Sequence, residues 1–313
     1  MSASFAFVFP GQGSQTVGML DALGDHPEVR RTLEEASTAL GEDIGALIKN
    51  GPKEQLDLTT NTQPVMLTAG IACYRAWLAE TGLKPAAAAG HSLGEYSALV
   101  AAGALSLAEA LPLVRFRAQA MQEAVPVGVG AMAAILGLEA QAVRDVCAAA
   151  AVAVGEAVEA VNFNDPKQTV IAGTKVGVDK ACELLKAAGA KRALPLAVSA
   201  PFHSSLMKPA AERLKEKLAS TTFAAMEFPV LSNIDVTVAA DADALRDALY
   251  RQAFGPVRWV EIVQALKARG IGHVIECGPG KVLAGLAKRV DAELLSATVL
   301  DPASLADARA LLG

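Results

Sequence analysis

Four alanines occupy positions 86–89, between Pro85 and Gly90-His91-Ser92-Leu93-Gly94, and no other feature of the chain restricts its fold so strongly. Alanine alone favours helix. Four residues between a proline and a glycine are too few to make one, so the segment is expected to be a central strand packed closely enough to admit only small side chains. The Gly-x-Ser-x-Gly that follows fits a sharp strand-to-helix turn, in which the flanking positions must lack side chains and the serine stands exposed. Residues 95–102 can supply the helix, whose N-terminus favours negative charge developing beside the hydroxyl. A strand entering a helix in this way implies an α/β fold built on a parallel sheet.

The flanking sequence fits that plan. Residues 5–9 are an apolar run ended by Pro10-Gly11, a buried strand running into a loop. Residues 27–40 carry Val29, Leu33, Ala36 and Leu40 on one face with Gly41 behind them, as in an amphipathic helix. A second helix is expected over 62–80, with Pro64 in its first turn and Gly82 beyond its end. Ser106 and Glu109 form a capping-box pattern that opens a long helix passing Arg117, kinked at Pro112.

From about residue 128 the pattern changes. Strand 131–138, helix 140–150, strands 158–162 and 168–172, helix 178–188 and strand 192–198 spell the β-α-β-β-α-β order of the ferredoxin-like split motif. The expected organisation is a large discontinuous domain, 1–127 and 200–313, interrupted by an inserted ferredoxin-like subdomain at 128–199. The large domain resumes with a helix after His203 and a strand within 228–234. Helices at 242–253 and 257–268, a strand at 274–277 and a final helix–strand–helix complete it.

Composition bounds the class. Of the 313 residues, 52% are hydrophobic and 19% charged, ample for a core and unlike disordered or disulfide-scaffold chains. A net charge of −5 disfavours nucleic-acid binding, which needs a basic excess. The run Lys208, Arg213, Lys215 and Lys217 reads as a solvated helix face or a contact for an acidic partner. Cys73, Cys147, Cys182 and Cys277 show no paired spacing and read as free thiols of a reducing compartment. No Lys or Arg precedes Arg30, and Pro10–Gly13 breaks the first apolar run, so no secretory signal is expected. Elsewhere no uncharged stretch reaches membrane-spanning length. A cytoplasmic protein without membrane contact is expected.

A serine nucleophile needs a base, and the chain has four histidines. His91 adjoins Ser92, but neighbouring side chains on a tight turn point apart, which suits a structural role. His26 precedes a helix as a capping residue, and His273 begins an apolar strand. His203 lies in Ser199-Ala200-Pro201-Phe202-His203-Ser204-Ser205, where the insertion returns to the large domain; clefts form at such junctions, making it the candidate base. Arg117 has Leu113, Val114, Ala120 and Met121 as its helical neighbours. A guanidinium in an apolar stripe requires an anion, which is either a buried acidic side chain or a substrate carboxylate. Arg115, with Gln119 one turn on, can reach water. The loop 10–15 fails as a dinucleotide fingerprint because Thr16 stands where the third glycine belongs, and 278–281 fails as a phosphate loop. No Cys or His pair has metal spacing. Loop 11–15 is better read as a source of backbone donors beside the elbow.

Assembled in order, Phe9-Pro-Gly-Gln-Gly-Ser-Gln15, Gly90-His-Ser-Leu-Gly-Glu95, Arg115-Phe-Arg117, Pro201-Phe-His203 and Gln252 followed by Gly255-Pro-Val-Arg-Trp259 resemble the malonyl-CoA:acyl carrier protein transacylases of type II fatty-acid synthesis, over essentially the whole chain. The resemblance implies an α/β-hydrolase-like domain with a ferredoxin-like insertion. It implies malonyl transfer from malonyl-CoA to the phosphopantetheine thiol of acyl carrier protein through a malonyl-serine ester. Ser92 would be nucleophile, His203 base and Arg117 the carboxylate clamp. The backbone of Gln12 and Leu93 would form the oxyanion hole. Gln252 would orient His203 through its carbonyl, which suits the lack of a recognisable triad acid among Glu95, Asp165 and Asp179. Phe202 would bear on the α-substituent and disfavour methylmalonyl. No resident cofactor or metal is expected, coenzyme A being part of the substrate and phosphopantetheine part of the partner. A monomer is expected, with Lys191, Arg192 and Lys208 as candidate contacts for the acidic carrier. The competing expectations are a serine hydrolase or thioesterase acting on acyl-CoA and a non-catalytic acyl-CoA binding module.

Overall fold

The computed structural model describes residues 3–313, and these form nine strands in two separate sheets: β1 (Phe5–Phe9), β2 (Ala87–Gly90), β3 (Gly130–Leu136), β4 (Val158–Asp165), β5 (Gln168–Thr174), β6 (Arg192–Pro195), β7 (Val230–Leu231), β8 (His273–Cys277) and β9 (Leu295–Val299). The first sheet has the order β7-β2-β1-β8-β9, and every neighbouring pair is parallel.

Strand β1 shows how the sequence builds its layers. Phe5, Phe7 and Phe9 face one side, where Phe7 meets Trp77 and Tyr74 edge-on at centroid distances of 5.6 and 5.8 Å. Those partners stand on the helix Thr59–Thr81, which is buried along most of its length. Ala6 and Val8 face the other side, beneath Trp259, Ile262 and Leu266 of the helix Trp259–Ala268. Period-2 alternation of large and small residues thus sets the thickness of both helical layers. All four residues of β2 are buried between β1 and β7, which accounts for the alanine run.

The second sheet has the order β4-β5-β3-β6, entirely antiparallel. Helices Ala140–Val154 and Lys175–Ala187 pack on one face around Ala133, Ile135, Ile171, Val143 and Leu185. The opposite face presents Met132, Val161, Val170 and Ala172 to Val198 and Phe202. Strand β4 is tied to the first body: Val257 N–H donates to Val161 O at 2.8 Å, Phe163 N–H donates to Val257 O at 3.0 Å, and Arg289 pairs with Asp165 at 2.7 Å.

Several element ends differ from expectation, each for a local reason. The helix expected from 62 begins at Thr59, because the Leu58 carbonyl accepts from both Asn61 and Thr62 N–H at 2.7 Å; Pro64 therefore lies in the second turn. The helix Leu107–Glu123 continues through Pro112. Strand β6 stops at Pro195, releasing Leu196 and Val198 to line a cavity. Strand β7 is only two residues long, because Ser232 N–H turns to Thr237 O and leaves Asn233 free to reach the end of β2. Short helices at Ile44–Asn50 and Lys53–Leu56 carry no strong sequence signal. No helix of the described residues is long and apolar enough to cross a membrane.

Candidate active site

Strands β1 and β2 end in register, Phe9 opposite Gly90, so the loop after β1 lies beside the turn after β2. Ser92 takes a left-handed backbone, φ 53°, a strain of about 1–3 kcal/mol that the surroundings must hold. The two motif glycines are dictated by space. A Cβ on Gly90 would stand 1.8 Å from Gly94 C, and one on Gly94 would stand 2.0 Å from Phe9 O. Asn233 fastens the turn from the far side: its Oδ1 accepts Ser92 N–H at 2.7 Å and its Nδ2 donates to Gly90 O at 2.6 Å. Asn233 had no motif around it and escaped the sequence reading.

His203, also left-handed at φ 66° and buried, places Nε2 2.7 Å from Ser92 Oγ. Its Nδ1 faces two carbonyls, Gln252 O at 2.9 Å and Gly255 O at 3.1 Å. Carbonyls only accept, so Nδ1 carries the proton and Nε2 turns a lone pair to the hydroxyl. Burial, reinforced by the Arg117 charge and only partly opposed by the two carbonyls, lowers the imidazole to about 3 from its ordinary 6.5. The native ring thus binds a proton less tightly than the unfolded one. Its contribution to stability is complete above the ordinary histidine range and declines as pH falls toward about 3. The His203 C2-proton resonance, identified by its loss in His203→Ala, is expected not to titrate between about pH 8 and about pH 5. A titration step near the ordinary value would contradict this environment.

Arg117, 2% exposed, is held by neutral groups alone. One terminal nitrogen donates to Gln63 Oε1 at 2.8 Å; the other donates to Gln252 Oε1 at 3.0 Å and Ser92 Oγ at 3.2 Å. The guanidinium lies over the Tyr96 ring at 5.5 Å, and its Nε–H has no partner among the described residues. No acidic side chain of those residues forms an ion pair with it; the buried Glu95 is bridged to it only through the Gln252 amide, and its charge partly offsets the cost of burial. Burial pulls its proton affinity below the ordinary arginine value, the expected mark of a cation awaiting a counter-charge. Arg115, by contrast, pairs in bidentate fashion with Glu42 at 2.8 and 3.0 Å rather than standing free in water.

Gln12, Gln63, His91, Leu93, Met132, Asn162, Val198 and Phe202 complete the walls of a cavity of about 130 Å³ around Ser92, Arg117 and His203. The main-chain N–H groups of Gln12 and Leu93 find no acceptor among the described residues. His91 turns away from Ser92: its Nε2 meets Asn164 Oδ1 at 2.9 Å, and its ring packs against Trp259. His26 caps the helix Pro27–Leu40 by accepting Glu28 N–H. Lys191, Arg192 and Lys208 are exposed. A larger cavity, about 690 Å³, lies between His26, Glu80, Leu305 and Arg309, but it contains no nucleophile–base pair.

Ser92, His203, Arg117, Gln12, Leu93, Gln252 and Phe202 thus come together in one place. The sequence reading lacked Gln63, Asn233, the Gln252 side chain, which contacts Arg117 and Ser92, and Gly255 as a second carbonyl under His203. Gln63 and Asn233 have no local signature, since side-chain amides occur throughout the chain, and the motif from Gln252 to Trp259 does not tell which of its atoms meet Ser92, Arg117 and His203.

Comparison with known proteins extends the picture. An acyl transferase domain family matches residues 6–300. The malonyl CoA-acyl carrier protein transacylase of Escherichia coli K12 is 53% identical over 305 residues, covering 97% of this chain and 98% of that one. The crystal structure of acyl-carrier-protein S-malonyltransferase from Burkholderia pseudomallei superposes with a TM-score of 0.95 at 65% identity, covering 97% and 99% of the two chains. A malonyl-transacylase solved in complex with its type II polyketide acyl-carrier protein has a TM-score of 0.96 at 50% identity, covering 98% and 99%.

Proposed function

Because the chain belongs to the malonyl CoA-acyl carrier protein transacylases, an acyl transferase family, we propose that it carries the malonyl group as an ester on Ser92, formed and broken with His203 as the base and with Arg117 gripping the free carboxylate. The enzyme transfers malonyl from malonyl-CoA to acyl carrier protein. His203 Nε2 takes the Ser92 proton as Oγ attacks the thioester carbonyl. The carbon–sulfur bond then breaks, and coenzyme A leaves as the thiol with that proton. In the second half the phosphopantetheine thiol gives its proton to His203, its sulfur attacks the ester carbonyl, and Ser92 Oγ departs and recovers the proton. The free N–H groups of Gln12 and Leu93 are read as the oxyanion donors, each worth about 10²–10³ in rate.

The observation that carries the reading is Arg117: buried, unpaired with any acid of the described residues, and 3.2 Å from the reacting oxygen. A carboxylate one methylene from the acylated carbonyl falls within its reach. A charge-assisted bond of about 1.5–3 kcal/mol corresponds to roughly 10- to 150-fold preference for malonyl over acetyl. Arg117→Ala is expected to erase that preference while leaving acetyl transfer measurable; an unchanged malonyl:acetyl ratio of kcat/KM would remove the clamp.

The same reading takes the two walls as an α/β-hydrolase-like domain, 1–127 and 200–313, and an inserted ferredoxin-like subdomain, 128–199; the β4-β5-β3-β6 order with both helices on one face supports it. Phe202, half-buried at the cavity wall, is assigned the α-substituent. The scheme needs no resident cofactor. It places the enzyme in the cytoplasm as a monomer supplying fatty-acid synthesis, with Lys191, Arg192 and Lys208 offered to the acidic carrier.

A further inference from the structure

One buried acid at the site has no part in the proton transfers. Glu95, 1% exposed in the first turn of the helix Gly94–Ala101, has no cation in ion-pair contact among the described residues. Its Oε2 accepts two N–H groups, Gln252 Nε2 at 2.9 Å and Asn233 N at 3.0 Å. We infer that Glu95 is a positioning residue for substrate choice: by accepting from Gln252, its carboxylate fixes which edge of the Gln252 amide faces Arg117.

The amide is fully committed. Its Nε2 donates to Glu95 and to Ser92 O, at 2.9 Å each, and its Oε1 accepts from Arg117 at 3.0 Å. Reversal would set an NH₂ against a guanidinium that can only donate, and an oxygen against a carboxylate and a carbonyl that can only accept. Three attractive contacts would become repulsive together. With no acceptor at 95, one of the three contacts that oppose reversal is gone, and a reversed amide would leave the guanidinium with Gln63 as its only fixed amide partner before substrate arrives. Pre-set orientation matters because an arginine fork binds a carboxylate in a narrow range of directions. Burial pushes the Glu95 carboxyl up to about 7, but Oε2 accepts both N–H groups whether the group is ionised or carries its proton on Oε1, whereas a glutamine can turn a donor edge. Glu95 touches neither the acyl group nor the reacting oxygen; it acts through Gln252.

The inference rests on the malonyl–Arg117 reading, and the experiment separates the two. Malonyl and acetyl transfer from the corresponding CoA thioesters to carrier protein are measured for wild type, Glu95→Gln and Glu95→Met, the last similar in length but without an acceptor of comparable strength. The malonyl:acetyl ratio of kcat/KM is expected to fall about threefold in Glu95→Gln and about tenfold or more in Glu95→Met. Acetyl transfer should fall by clearly less than malonyl transfer in each folded variant. If Glu95→Met does not fold, as judged by thermal melting, the glutamine variant decides alone. An unchanged ratio in a folded variant, or malonyl and acetyl rates falling in parallel, overturns the inference. A wild type without malonyl preference overturns the Arg117 reading instead.

Discussion

Ser92→Ala should abolish the malonyl-enzyme and lower transfer by roughly 10⁴- to 10⁶-fold, the scale on which a nucleophile acting as one unit with its base is lost. The geometry offers no substitute: His203 Nε2 and an Arg117 nitrogen both converge on Oγ, at 2.7 and 3.2 Å. Intact-protein mass after brief exposure to malonyl-CoA, with the adduct mapped by peptide, reads the result. An adduct surviving in the alanine variant would displace Ser92 from the mechanism. The same experiment on the unaltered enzyme separates the alternatives raised by the sequence. Coenzyme A release that ignores the carrier protein would mark a hydrolase, and binding without an adduct would mark a non-catalytic module.

His203→Ala should cost on the order of 10⁴-fold or more in acylation while leaving malonyl-CoA affinity within about threefold. The split follows from the hydrogen bonds. His203 contacts the serine and two carbonyls, whereas the proposed carboxylate clamp is Arg117. Behind the ring stand the carbonyls of Gln252 and Gly255, and among the described residues no carboxylate is hydrogen-bonded to it. Single-turnover acylation together with equilibrium binding to the Ser92→Ala form of each protein checks both halves. A loss of affinity matching the loss of rate would mean that His203 holds substrate rather than moving a proton.

Much of this site was legible in the chain. The alanine run could only be a central strand, and the glycines at 90 and 94 could only be a crowded turn; the distances a Cβ would suffer there show why. The apolar run of residues 5–9, ended by Pro10-Gly11, marked the strand beside it. His203 was singled out by elimination among four histidines and by its place at a junction. Boundaries were harder: strand β7 ended after two residues at the Ser232–Thr237 turn, and strand β6 stopped at Pro195, just before Leu196 and Val198 reach the cavity wall. A periodic pattern cannot register such a demand.

Local sequence, then, determined which segments became strands and helices and which reactive groups were present, because side-chain size, turn sterics and periodicity act over a few neighbouring residues. Only the tertiary structure decided what those groups meet. Arg117 was compatible with an internal acid as well as an external one until its hydrogen-bond partners proved to be two amides and a hydroxyl. Gln63, Asn233 and Gln252 lie 29, 141 and 160 positions from Ser92, yet they set its surroundings. A buried polar side chain must take whatever partner the packing brings within about 3 Å, and that choice is made by the folded chain as a whole.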